Sequence, residues 1–287
     1  MNNHKYVFTK YKKIRKLSYN NEKKVLKTYD IDMYDWWSKP YTCFKIRFYI
    51  ELSSLFVFFL QFTKIKPNQI SYVYAGSSIF GALCLSLENY YFILLGIFLF
   101  FFKIVIDGTD GLLARVKYKP TNLGEIIDTW GGFVAEISFM IGLGFYIFNI
   151  TSDQLYLYLL TITISIKAID LKKYVFLHIG ASKYNESYLL KEKSINKIKL
   201  KKSKNKFLNF SKKLILDGFN YNAKSMDLVL FGILIELIYK KLIFTHYFFY
   251  LYIIRGVIIF FSNFYLVNRD NSFVLLAIKN NIKIKNK

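Results

Sequence analysis

Apolar residues in this sequence come in long unbroken runs. YYFILLGIFLFFFKIVI at 90–106 and YLYLLTITISI at 156–166 leave no polar stripe for a soluble helix to turn toward water. Several runs approach the roughly 20 residues that a bilayer-crossing helix needs. The pattern predicts six spans, at about 70–87, 91–114, 123–148, 155–177, 227–243 and 246–267. ENYY (88–91) makes a short turn between the first two, and NITSDQ precedes the fourth.

The polar stretches complete the organisation. Residues 1–43 are a basic N-terminal segment without an apolar run near the start, so no cleavable signal peptide is expected. Trp36 and Trp37 beside Pro40 have the character of an interfacial anchor. Residues 44–66 carry Lys45, Arg47 and Glu51 ahead of a strongly apolar run, and read as a helix lying in the headgroup region, with a short span as the alternative. A membrane core at 67–180 (the first four spans) then leads to a Lys-dense loop at 181–226, the last two spans at 227–268 and a basic tail at 269–287. The expected fold is all-α and integral to the membrane, a six-transmembrane-helix bundle with an N-terminal interfacial amphipathic helix.

Charge sets the orientation and excludes one class of partner. The formal net charge is +22, and with the N-terminus, the Arg115–Thr121 segment, the Lys-rich loop and the tail in the cytoplasm nearly all Lys and Arg lie on one side. Lys240 and Lys241 are the exceptions. Basic segments that alternate with membrane-length apolar runs point to anionic lipid headgroups. Nucleic acid is not an expected partner, because the Lys-rich loop has few Arg and no interleaved aromatic platform. Cys43 and Cys84 lie far apart, and His4, His178 and His246 are scattered, so neither a disulfide framework nor a zinc site is suggested.

The chemistry lies in DGTDGLLARVKYKPTNLGEIIDTWGGFVAE, residues 107–136. Asp107 and Asp110 share one helical face at the end of the second span, with Ala114 a turn later. Gly124, Asp128 and Gly132 form a stripe at the start of the third. Two helices joined by a short turn bring three carboxylates to one place at the membrane edge. Each costs roughly 2.5–3.5 kcal/mol inside a bilayer, and crowding adds repulsion. A divalent cation relieves both costs, and Mg2+ (or Mn2+) suits an all-oxygen site that handles phosphate. Arg115, Lys117 and Lys119 are placed to compensate a diphosphate.

These residues resemble the CDP-alcohol phosphatidyltransferase family, whose pattern is DxxDGxxAR, eight residues, G, three residues, D, three residues, D. Asp107, Asp110, Gly111, Ala114, Arg115, Gly124 and Asp128 fall in register, and the upstream Pro67, Asn68 and Ser71 occupy the place of the family's Pro-Asn entry to its first span. The resemblance implies that Asp107, Asp110 and Asp128 bind metal, and that Pro67, Asn68, Gly111, Ala114, Arg115, Thr121 and Gly124 line the donor site. It implies a cytoplasmic-facing site in which an acceptor hydroxyl attacks the phosphorus of a CDP-alcohol donor and CMP leaves, as in phospholipid synthesis. Homodimerisation is also what the family suggests.

One position departs. The family's fourth Asp, its proposed general base, is Gly132 here. Glu136, one turn further along the stripe, and Asp170 are the substitutes within the sequence. A membrane protein that keeps the donor site without turnover is the alternative reading.

Overall fold

A computed structural model describes residues 10–28, 34, 40–169, 222–239 and 244–270. Apart from short turns these residues are helical, and no strand occurs among them. The helices are α1 (Tyr11–Thr28), α2 (Pro40–Leu60), α3 (Pro67–Leu85), α4 (Tyr90–Lys117), α5 (Asn122–Thr151), α6 (Leu155–Ala168), α7 (Asn222–Tyr239) and α8 (Thr245–Asp270). Trp36, Trp37, Asp170, His178, the Lys-rich loop, Lys240, Lys241 and the tail lie outside the described residues.

Among the described residues two helices, Tyr90–Lys117 and Leu123–Thr151, are long and apolar enough to cross a membrane. Leu155–Ala168 and Thr245–Phe261 are apolar but shorter. The distribution of side chains is that of a membrane protein: Tyr91, Phe98, Leu83, Phe59 and Ile162 are exposed while Lys103, Asp110, Lys167, Asp227 and Glu236 are buried.

The arrangement around α3 positions everything else. Its most extensive contacts are with α4 on one side and α5 on the other, and those two helices pack mainly on α3 and little on each other. Small residues make the close approach possible. A Cβ at Gly96 would lie 2.8 Å from the Gly81 carbonyl oxygen, and one at Gly142 would lie 2.9 Å from Ala82 Cα. Both seams are at the C-terminal end of α3, where Asn149 Nδ2 of α5 also donates to the Ser86 carbonyl at 2.7 Å. Neither Gly96→Val nor Gly142→Val can be relieved by a side-chain rotation. Each is expected to cost on the order of 1–3 kcal/mol and to lower the thermal midpoint in detergent. Gly76→Ala, where the added Cβ meets nothing within 4 Å, serves as the neutral control.

Beyond the α3 seams, Leu85, Phe139, Leu143 and Ile147 form a fully buried core with Leu230 and Ile233 of α7. At the other end of the bundle Ile14 of α1 packs with Val57, Ile70, Leu112 and Leu113. The basic N-terminal segment therefore contains a docked helix. Tyr11, Ile14, Ser18, Glu22 and Leu26 recur at three- and four-residue spacing, which gives α1 an inner face between its lysines.

Glu51 of α2 is the polar anchor for that docking. It accepts from Arg15 Nε at 2.7 and 2.8 Å, from Tyr19 OH at 2.7 Å and from Tyr11 OH at 3.3 Å. Hydrogen bonding from Arg15 holds its carboxyl below the usual range, which outweighs partial burial. A depressed carboxyl contributes stability above its unfolded value and loses it as pH falls through the folded one. Protease cleavage within α1 is therefore expected to accelerate as pH drops below about 4, and Glu51→Gln is expected to show the fast rate already at neutral pH.

Candidate functional site

The gap between α4 and α5 can be followed from its open end inward. α4 ends at Lys117, whose ammonium donates to the Thr63 carbonyl, while Tyr118 OH donates to Ile65 O at 3.3 Å. These contacts tie the α4–α5 turn to the segment that enters α3. There Lys66 N donates to Gln69 Oε1 at 2.8 Å and Pro67 takes the first helical position, where its missing N–H costs nothing. Thr121 caps α5, accepting from Gly124 N at 3.0 Å. Asn68 Oδ1 lies 3.3 Å from where a Gly124 Cβ would stand, so Asn68, Thr121 and Gly124 are brought together. Arg115 is exposed, with its guanidinium 3.5 Å from a virtual Cβ on Gly111.

One turn deeper stand the carboxylates. Asp107 of α4 and Asp128 of α5 are in hydrogen-bonding contact across the gap, and Asp110 is within electrostatic reach of both. Asp110 is buried, Asp107 half-buried and Asp128 exposed. Two acidic groups in contact need a proton or a cation between them, because two bare charges at that distance repel.

Asp110 also has partners outside the carboxylate group. Asp110 turns aside, accepting from the Ser71 hydroxyl through Oδ2 and from the Gly111 N–H through Oδ1. No group of three or more His, Cys, Asp or Glu side chains arranged to hold a metal occurs among the described residues. For Asp110, α3 offers a hydroxyl and the next peptide offers a donor, and both satisfy a buried carboxylate. In donor chemistry the set still fits a hard divalent cation, being all oxygen, anionic and open on the Asp128 side.

A Cβ on Gly132 would meet nothing within 4 Å, so this position faces open space between the helices. Ala114 is buried and faces away from solvent. Glu136, a turn below Gly132, is ion-paired with Lys167 of α6 and accepts from Tyr252 OH of α8 at 3.2 Å. Lys103, a turn below Asp107, is buried with its ammonium 3.0 Å from Met226 Sδ, and it lies within electrostatic reach of Asp107, Asp227 and Glu136. Asp227 is itself ion-paired with Lys45 and hydrogen-bonded by Tyr41. Phe100 and Phe139 close the gap from below, edge to face with ring centroids 5.2 Å apart.

Sequence reasoning did not single out Ser71 as the partner of Asp110, or Tyr74, Lys103 and Tyr49 as neighbours of the carboxylates. Tyr74 lies on α3, with its ring 2.9 Å from a virtual Cβ on Gly131. Tyr49 of α2 lays its ring against Gly108, 3.4 Å from a virtual Cβ there. Only the position of Ser71 beside the Pro-Asn pair carried a signal in the sequence.

Comparison with known proteins gives one match. Residues 64–199 match the family model described as CDP-alcohol phosphatidyltransferase, a family of transferases. That range starts at the entry to α3 and contains every residue of the gap described above except Thr63, Tyr49, Asp227, Lys45, Tyr41, Met226 and Tyr252. No curated protein and no solved structure matches the chain.

Proposed function

Because residues 64–199 carry a CDP-alcohol phosphatidyltransferase domain, we propose that this protein transfers a phosphoalcohol group from a CDP-alcohol to an acceptor hydroxyl with release of CMP, as a step in phospholipid synthesis. The observation that carries the proposal is the contact of Asp107 with Asp128 across the α4–α5 gap, beside the open space at Gly132. In this reading the chain crosses the membrane six times, α2 lies at the interface and the gap opens to the cytoplasm, where the basic segments gather.

The roles follow from position. Asp107, Asp110 and Asp128 would hold Mg2+ (or Mn2+), which supplies charge stabilisation for the diphosphate and the leaving CMP. The exposed Arg115 presents its fork to the diphosphate. Asn68, Thr121, Gly111 and Gly124 leave backbone and small side chains at the mouth, so that the nucleotide can approach the helix ends closely. The buried Ser71–Asp110 hydrogen bond fixes the α3 wall against α4. The Phe100–Phe139 pair keeps the reacting groups at the shallow end of the gap and away from the apolar core.

Gly132 leaves the acceptor's proton without a carboxylate at the expected place. Glu136 does not take over that task in the arrangement seen, because Lys167 and Tyr252 engage its carboxylate a turn deeper. Proton transfer by a positioned group is worth on the order of 10² to 10⁴ in rate, so turnover is expected to be slow relative to a fully equipped site. A chain that binds the donor without turning it over is favoured by this one observation.

The test is purified full-length protein in detergent with Mg2+ or Mn2+ and a panel of CDP-alcohols, with CMP measured as product. Metal-dependent CMP release that EDTA abolishes supports the transferase. Donor binding without CMP across the panel supports the non-catalytic reading, and absence of both ends the proposal.

A further inference from the structure

Lys45, Lys103 and Lys167 all reach into the interior of the bundle, and two of them have a carboxylate of their own. Lys167 is ion-paired with Glu136, and Lys45 with Asp227. Lys103 is the exception. It is only 7% exposed, its ammonium meets the Met226 thioether at 3.0 Å, and it lies 5.4 Å from the centre of the Phe100 ring. No carboxylate is in contact with it among the described residues. A thioether is a weak acceptor and an aromatic face only a partial counter-charge. A full positive charge is thus kept out of water by soft partners alone, which is costly.

The level of Lys103 in the gap follows from an aromatic contact. α4 and α5 run antiparallel, and Phe100 meets Phe139 with ring centroids 5.2 Å apart. Counted from that contact toward the open end, along one face of each helix, Lys103 stands opposite Glu136, and a turn higher Asp107 stands opposite Gly132. The space that a Gly132 Cβ would enter without meeting an atom therefore has Asp107 and Asp128 toward its rim, and Lys103 a turn below.

From this layout we infer that the acceptor is a small alcohol carrying an anionic group of its own, a phosphate or a carboxylate, and that Lys103 binds that group. The inference rests on the transferase reading above and names the class of its acceptor. Asp107 and Lys103 are about 6 Å apart along the helix axis, from the rise of 1.5 Å per residue. A molecule of three or four carbons spans that distance, with its hydroxyl at the carboxylate level and its anion at the ammonium. The flexible stem of Lys103 lets the ammonium exchange the Met226 sulfur for an oxyanion, which makes a stronger, charge-assisted bond. A neutral alcohol leaves the buried charge unanswered, and a cationic one is repelled by it. Met226 lies on α7, beyond the matched residues 64–199, so the resting place of the ammonium is supplied by the remainder of the chain.

The measurement uses the full-length protein in lipid nanodiscs with Mg2+ and CDP, and three probes of one carbon skeleton: glycerol, glycerol phosphate and glycerate. One of the two charged probes is expected to bind more tightly than glycerol by about tenfold or more, the worth of a charge-assisted hydrogen bond, and the tighter of them identifies the anion. Lys103→Met keeps the length of the side chain and removes its charge. It is expected to erase the preference while leaving the affinity for CDP alone as it was. Its thermal midpoint without ligand is expected to hold or rise, because an ammonium among soft partners gives way to an apolar chain of similar volume. A lowered midpoint with equal losses for all three probes would mean that Lys103 serves only to hold α4 against α7, and would overturn the inference. Charged and neutral probes bound equally by the unaltered protein would overturn it as well, a result that needs no variant to fold. CDP binding without any preference among the probes refutes the inference alone, whereas a protein that binds no CDP takes the transferase reading down first and the inference with it.

Discussion

Asp128→Asn is expected to reduce CMP release by about 10³-fold or more while leaving the protein folded. The argument has two halves. Asp128 is the exposed member of the carboxylate group, and it meets Asp107 across the gap, so in the proposed site it is the side chain through which α5 would contribute to a shared ion. Removing a ligand forfeits several kcal/mol of charge stabilisation in the transition state, and each 1.36 kcal/mol is a decade in rate. The amide keeps the shape and can still hydrogen-bond to Asp107, which no longer needs a proton shared between two acids. Thermal stability without added metal is therefore expected to stay level or rise, whereas the stabilisation by Mg2+ that the proposal expects of the unaltered protein should be absent from the variant. Comparing thermal midpoints with and without Mg2+ checks the binding half, and the CMP assay checks the catalytic half. Full activity in Asp128→Asn would remove the basis of the functional proposal.

Gly132→Asp is expected to act in the opposite direction, raising turnover by about 10²-fold or more, within the range that a positioned proton acceptor supplies. Space is available, because a Cβ at this position meets no atom within 4 Å. The new carboxyl stands one turn from Asp128 on the same helical stripe, so it faces the same gap. Lys103 on the facing helix provides a buried positive charge in that region, which moderates the repulsion that a fourth acid brings. Turnover unchanged from the unaltered protein would show that the acceptor's proton already leaves by another route, and Glu136→Gln in the same assay would then be the next variant to measure.

The parts of this site that follow a helical period are legible in the sequence. Asp107, Asp110 and Ala114 on α4, and Gly124, Asp128 and Gly132 on α5, needed only the geometry of a helix and a short turn to be placed on facing stripes. What could not be read was which way each carboxylate points. Asp110 is claimed by Ser71, 39 positions earlier, and no local pattern announces a bond between residues on different helices. The same holds for Glu136 and Lys167, 31 positions apart, and for Asp227 with Lys45, 182 apart. α1 was hidden for another reason: lysines fill its outer face and dilute an inner face of only a few apolar residues, so its composition reads as a plain basic segment. That α3 stands between α4 and α5 is likewise set by Gly96 and Gly142, whose meaning depends on partners in another helix.

The placement of those two glycines has a further effect on traffic through the protein. Gly96 and Gly142 clamp the far end of α3, and Phe100 and Phe139 meet edge to face between those glycines and the carboxylates. In the proposed transfer, donor, acceptor and both products would all pass the open end beside Thr121 and Gly124, so CMP would have to depart before the next nucleotide enters. Under that proposal, excess CMP is expected to crowd the open end and slow the reaction.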